Sequence, residues 1–334
     1  MSQLSLHNCE EHIDESQHIR EILSRNRLVA AHKHAINNAK RITVHITLPA
    51  KKVDPLLFVN EKLSPARDIK STFFWQQPNK DCAFVAGPSI DEFQPKGDDH
   101  FKRASTVFNQ QQIFNLLDPE HRPKANIPYW IGGFQFDAGN PTGDSIHPTN
   151  FVLPQWIYYI KNNNAWLRYF AQISPHTDID ESLEDIIHNG GNFIQKIDDL
   201  YALQQDDLAF DEKSAGSNSH TLNKTVTSKW AGGVESIKEQ IEKREIQKLV
   251  LARKIDISLP TSPHIVDVLE YLRTKYRNCT TLMMRVDAET VFVASTPEHI
   301  VLLNNKKIST ESLAGSSSRG EEIVADQKNK YGLL

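Results

Sequence analysis

The sequence contains few cysteines, and they are not spaced as metal ligands or as a disulfide framework. Only Cys9, Cys82 and Cys279 occur among 334 residues, far apart and odd in number. A disulfide-rich secreted domain needs an even set of cysteines, and a zinc site needs closely spaced ones, so the pattern predicts neither. We therefore expect a reducing, cytoplasmic setting.

Long apolar runs and blocks of positive charge are also absent. No run of about 18 apolar residues occurs, and the N-terminal MSQLSLHNCEEHIDESQHIREIL has no apolar signal core. The formal net charge is −4, without a dense lysine and arginine run. We expect no transmembrane helix, no membrane partner and no nucleic-acid partner. Also missing are the GxGxxG, P-loop and HExxH motifs.

What is present alternates between helical and extended patterns. Apolar residues recur at helical spacing over 16–38, and RITVHITL (41–48) alternates as a strand does. Further predicted elements are a hairpin at 71–78 and 82–89, a helix at 101–117, an aromatic strand at 127–137, a hairpin at 151–160 and 165–173, and a helix at 193–204. Gly132-Gly133 within the aromatic strand predicts a bulge or a close backbone approach.

A polar stretch rich in Ser, Asn and Asp covers 205–226 and predicts a linker, with a boundary near residue 222. The N-terminal part is then 1–222 and the C-terminal part 223–334. Beyond the linker we predict helices at 227–245 and 263–277, a strand at 246–254, and strand pairs at 280–286 with 290–295 and at 299–305 with 306–312. Mostly antiparallel strands with inserted helices indicate an α+β fold.

Lys248 stands at the start of the predicted strand IQKLVLARK. A lysine at a strand edge is ordinarily solvated, or it discourages edge-to-edge pairing. A partly desolvated lysine instead has a lowered pKa and can act as a general base. Spacing alone favours the solvated alternative.

Glu298 follows Pro297 between two apolar segments, in VASTPEHIVLL. It could be a solvated turn residue, or a protonated general acid in a cleft. Further on, Ala314, Gly315 and Ser316 offer backbone N–H groups that no large side chain blocks. Such a turn can hold a carboxylate, and the alternative is a flexible Ser/Gly loop.

The three stretches together are more specific than any one alone. KLVLAR, STPE and TESLAGSSSRG, in this order, resemble the chorismate-utilising enzymes. Upstream, FFWQQPNKDCAFVAG and PYWIGGFQFD look like the menaquinone-type isochorismate synthases of that family. Lys248 occupies the position that is typically glutamine in the ammonia-adding members, and Ala314 the position of an adduct-forming lysine in aminodeoxychorismate synthase.

The resemblance implies a fold of two antiparallel sheets packed face to face with helices outside, and the 205–226 stretch would then be a connector within it. It also implies a reaction. Lys248 would act as the general base for water that attacks C2 of chorismate, and Glu298 as the general acid at the C4 hydroxyl. Amides of Ala314, Gly315 and Ser316 would hold a substrate carboxylate.

The family resemblance also implies Mg²⁺, bound by glutamates that lie beyond Leu334. We therefore expect that the chain is C-terminally truncated and that by itself it has little or no activity. The leading hypothesis is an isochorismate synthase of menaquinone biosynthesis, with a siderophore pathway as the other setting. The alternatives are a salicylate synthase and a non-catalytic fragment or pseudoenzyme. Chorismate is the expected small-molecule partner, and no oligomeric state is predicted.

Overall fold

A computed structural model describes residues 15–60, 72–94, 99–134, 150–205, 224–251, 255, 257–285, 289–304 and 306–311. The chain divides into two compact units, the first made of Met1–Phe210 and Val268–Leu334 and the second of Asp211–Asp267. The helices among the described residues are α1 (Glu15–Ile22), α2 (Arg25–Asn38), α3 (His100–Gln110), α4 (Ile179–Gln205), α5 (Lys224–Glu242) and α6 (Ile265–Lys275). None of these described helices combines the length and apolar character needed to cross a membrane.

A nine-stranded sheet dominates the first unit. Its strands are β1 (Ile42–Ala50), β2 (Phe73–Gln77), β3 (Cys82–Phe93), β4 (Ile113–Asn115), β5 (Ile131–Gly133), β6 (Asn150–Lys161), β7 (Asn164–Ile173), β8 (Thr280–Arg285) and β9 (Val291–Thr296). Their order is β4-β1-β7-β6-β3-β2-β8-β9, and β5 pairs with β6. Only the β1–β4 pairing is parallel among the described strands. A separate antiparallel pair joins β10 (Leu302–Asn304) to β11 (Lys307–Ser309).

Side chains on both faces of the large sheet are buried. On one face Ile46 lies beside Gly190 of α4, and the rings of Trp156 and Phe193 are 4.9 Å apart. Side chains alternate along a strand, so Ile157 points to the opposite face, where it joins a second buried cluster. Because both faces are covered, β1 is buried over seven consecutive residues and not at every second one.

The predicted α+β class is confirmed by this mixture of helices with a mainly antiparallel sheet. The resemblance implies two large sheets. The described residues form one large sheet, and the second sheet among them is the small β10–β11 pair. The predicted hairpins β2–β3 and β6–β7 are both present. In the second, Asn162 and Asn163 have φ values of 49° and 66°. A two-residue hairpin turn of this kind requires positive φ, which asparagine tolerates.

The helix predicted at 193–204 is the C-terminal half of the longer α4. Two other predicted helices are interrupted or cut short. The single helix predicted over 16–38 is divided into α1 and α2, because Leu23 forms an antiparallel bridge with Leu117 and the N–H of Ser24 donates to the carbonyl of Leu116. The helix predicted over 101–117 ends at Gln110, and the following residues form β4 beside β1. In both places pairing with distant backbone overrides local helical spacing.

The strand predicted over 246–254 is wrong in its described part, because residues 246–251 adopt no regular structure. Apolar side chains there are exposed, Leu249 at 48% and Val250 at 82%. A strand is stabilised only when its backbone groups pair with a neighbour, and no described strand pairs with this segment. Within the predicted linker, residues 206–223 lie outside the described residues, and α5 begins at Lys224. The boundary near residue 222 stays a prediction.

Candidate functional site

Lys248 lies in the second unit, shortly after the end of α5. The helix ends because Arg244 adopts a left-handed conformation with φ 59°. The N–H of Glu245 then donates to the carbonyl of Gln240 and that of Arg244 to the carbonyl of Ile241, at 3.0 Å each. This pair of bonds is the Schellman arrangement that closes a helix. The chain leaves the helix in irregular form, and the Lys248 side chain is exposed.

Glu298 lies in the first unit, in the 297–301 loop between β9 and β10. Its backbone N–H donates to Oγ1 of Thr296 at 3.2 Å. The Glu298 side chain is exposed. The loop therefore presents a carboxyl group to solvent from the end of a sheet strand.

A network of polar side chains in contact with one another begins at His299, the residue after Glu298. Nε2 of Gln77 on β2 lies 3.0 Å from Oγ1 of Thr280 on β8 and 2.6 Å from Nε2 of His299. The other ring nitrogen of His299, Nδ1, is 3.4 Å from a carboxylate oxygen of Glu311. We call Thr280, Gln77, His299 and Glu311 the polar relay. It connects the loop that carries Glu298 to two strands of the large sheet.

The three predicted site elements fall in separate parts of the chain. Lys248 belongs to the second unit and Glu298 to the first. Ala314, Gly315 and Ser316 lie outside the described residues. Sequence reasoning missed the polar relay. The adjacency of His299 to Glu298 was a usable signal, whereas Gln77 is far away along the chain and could not have been matched to it.

Mg²⁺ is not accommodated by the part of the chain that the structure describes. No group of three or more His, Cys, Asp or Glu side chains occurs there that could hold a metal ion. His299 and Glu311 contact one another, but two ligands fall short of the octahedral oxygen coordination that Mg²⁺ requires. Mg²⁺ therefore stays an expectation of the resemblance.

Comparison with known proteins identifies the family. The model of a family described as chorismate binding enzyme matches residues 30–334. The chain belongs to the chorismate-binding enzyme family. The resemblance that KLVLAR, STPE and TESLAGSSSRG indicate is thereby confirmed at the level of the family.

Relatives with established names are all distant in sequence. Isochorismate synthase MenF of Bacillus subtilis is 22% identical over 90% of this chain and 63% of its own length. MenF of Escherichia coli is 26% identical over 77% of this chain and 53% of its own length. The solved structure of the menaquinone-specific isochorismate synthase MenF from Escherichia coli has a TM-score of 0.47 and 18% identity, covering 92% of this chain and 64% of that one. The chain thus spans between about half and two thirds of the length of these relatives.

Proposed function

We propose that this protein is an isochorismate synthase, converting chorismate to isochorismate. The family match over residues 30–334 carries the proposal, because the matched range contains the three motifs with Lys248, Glu298 and residues 314–316. The relatives from Bacillus subtilis and Escherichia coli are both named isochorismate synthase MenF, which supports this activity, with menaquinone biosynthesis as the proposed pathway.

The proposed reaction is an allylic exchange of hydroxyl groups. A water oxygen forms a bond to C2 of chorismate while the ring double bonds shift and the C4–oxygen bond breaks. Lys248 takes the proton from the attacking water, and Glu298 gives a proton to the departing hydroxyl, which leaves as water. Amides of Ala314, Gly315 and Ser316 bind a substrate carboxylate.

This assignment places a requirement on Lys248. An ordinary lysine, with a pKa of about 10.4, is protonated at neutral pH and cannot accept a proton. Desolvation lowers the pKa of a lysine, so the base must be covered when chemistry occurs. Its side chain is exposed in this structure. The proposal therefore requires that substrate or protein encloses Lys248 in the reacting state.

The proposal is tested by incubating the purified chain with chorismate and Mg²⁺ and separating the products by chromatography. We expect isochorismate as the product, formed slowly in keeping with the low activity expected above for this chain alone. We expect that rate to fall by at least about 100-fold in Lys248→Ala and Glu298→Gln, because each removes a proton-transfer group. Lys243→Ala, at an exposed lysine near the end of α5, is the matched control and should retain wild-type turnover.

Other products distinguish the alternatives. Fluorescent salicylate would identify a salicylate synthase, and chorismate binding in a calorimeter without any product would identify a non-catalytic binding protein. Unchanged turnover in Lys248→Ala would refute the assignment of the base.

A further inference from the structure

We propose that His299 is a positioning residue for Glu298, acting through the polar relay. The inference rests on the proposed function, since it concerns the residue assigned there as the general acid. Its structural part, that His299 holds the 297–301 loop in place, is tested independently of activity.

Among the described residues, packing does little to hold this loop against the β10–β11 hairpin. Apolar side chains of the hairpin and of the segment before it are exposed, with Ile300 at 88%, Leu303 at 64% and Ile308 at 68%. A two-stranded ribbon without a buried face is marginally stable in water. Within the described part of the chain, polar contacts at the base of the hairpin therefore supply order that burial does not.

Two side-chain contacts close that base. Oγ1 of Thr310 donates to the carbonyl of Ile300 at 2.8 Å, and Nδ1 of His299 lies 3.4 Å from Glu311. Each contact joins a residue before β10 to one after β11. The hairpin is therefore clamped where it meets the rest of the chain, one residue beyond Glu298.

The polar relay has a defined direction of hydrogen bonding. The amide group of Gln77 donates one proton to Thr280 and the other to Nε2 of His299. Nε2 must then be the acceptor, which leaves the ring proton on Nδ1, facing the Glu311 carboxylate. The His299 side chain is 29% exposed, so this orientation is maintained at a partly buried site.

The relay ties the loop to two paired strands of the large sheet. Gln77 lies on β2 and Thr280 on β8, and these strands pair with each other one strand in from β9, at the end of the sheet order. Glu311 stands three positions before Ala314 in the sequence. His299 thus couples the position of the proposed acid to the point where the chain enters the proposed carboxylate-binding turn.

The test compares His299→Ala with His299→Gln and with His188→Ala, a control at an exposed histidine of α4. Hydrogen–deuterium exchange, measured by mass spectrometry, reports on the loop. We expect amides 298–301 to exchange about tenfold faster in His299→Ala, the change expected when a hydrogen bond of ordinary strength is lost from an opening equilibrium. His299→Gln restores an acceptor for Gln77 and should recover most of the protection, and His188→Ala should resemble wild type.

Kinetics on chorismate test the link to catalysis. We expect kcat to fall roughly 10- to 100-fold in His299→Ala, the effect of displacing a catalytic group by about an ångström, while KM changes little. Unchanged exchange in the loop would refute positioning. Faster exchange with wild-type kcat would refute the coupling to catalysis. If wild type forms no isochorismate, the proposed function fails, while the exchange result still decides whether His299 orders the loop.

Discussion

At the scale of single residues, the main departure from expectation is a polar network inside the core. His45 on β1 is 2% exposed, with Nδ1 3.4 Å from Oγ1 of Thr47 and Nε2 3.3 Å from the hydroxyl of Tyr129. Nε of Arg168 donates to the same Thr47 hydroxyl at 3.0 Å. Burial, and then the charge of Arg168, lower the pKa of His45 to about 3, so the imidazole is neutral at physiological pH.

This network makes stability depend on pH in a predictable direction. The folded-state pKa of His45 lies below the ordinary value of 6.5, so the unfolded chain takes up the proton first as the pH falls. Stability is therefore lost progressively below pH 6.5, and the loss at pH 5 is about 2 kcal/mol from this group. Urea unfolding at pH 7.5 and pH 5 should show that His45→Gln loses about 2 kcal/mol less than wild type does over this interval.

Exposed His176 provides the control, since His176→Gln should keep the wild-type pH dependence. The same loss of stability in His45→Gln as in wild type would show that His45 is not the titrating group.

At the scale of elements, the two glycines of β5 have different surroundings. A Cβ atom on Gly132 would lie 2.0 Å from the backbone oxygen of Asn150 and 2.7 Å from Cα of Phe151. A Cβ atom on Gly133 would meet nothing within 4 Å. The close backbone approach predicted from the sequence therefore occurs, and it occurs at Gly132.

We expect Gly132→Ala to lower the free energy of unfolding by about 2–3 kcal/mol, because the added methyl must push β5 away from β6. Gly133→Ala is the matched control and should change it by less than about 1 kcal/mol. Chemical denaturation of both variants measures the difference. Equal effects would mean that conformational freedom, and not the contact with Asn150, explains the glycine at 132.

At the scale of the whole molecule, the first unit is built from two separate parts of the chain, and Arg273 on α6 connects them. Its guanidinium makes two hydrogen bonds to Asp54, at 2.8 and 2.6 Å, and also pairs with Glu270. The Arg273 side chain is 14% exposed and that of Asp54 21%. Burial alone would lower the pKa of Arg273, but hydrogen bonds and charge from Asp54 and Glu270 more than offset it and raise the pKa.

Arg273→Met should lower the free energy of unfolding by about 3 kcal/mol, because the partly buried Asp54 carboxylate then lacks its cationic partner. The exposed pair Arg103–Asp99 is the control, and Arg103→Met should cost less than about 1 kcal/mol. Thermal and urea unfolding of the whole chain measure both variants. A small loss in Arg273→Met would show that strand pairing between β2 and β8 joins the two parts without this ion pair.

The fold class could be predicted because local sequence patterns indicate most of its helices and strands. The β6–β7 hairpin could be predicted because its strands are rich in aromatic and aliphatic residues and its Asn162-Asn163 turn tolerates positive φ. The candidate site was only partly predictable. Its motif residues stand in the sequence, and the family match includes them. The partner of His299 is Gln77, a residue on a distant strand, and no local pattern reports such a contact.

The sequence by itself determined the family, the α+β class, the hairpins and the close approach at the β5 glycines. The family follows from the order of motifs along the chain. The class, the hairpins and the close approach follow from side-chain periodicity and turn chemistry, which act between near neighbours. Only the tertiary structure decided that 246–251 is not a strand, that the 16–38 helix is interrupted, and that His45 is buried in neutral form. The physical reason is common to all three. A strand needs a pairing partner, a helix yields to distant backbone that pairs with it, and a pKa depends on whichever elements enclose the group.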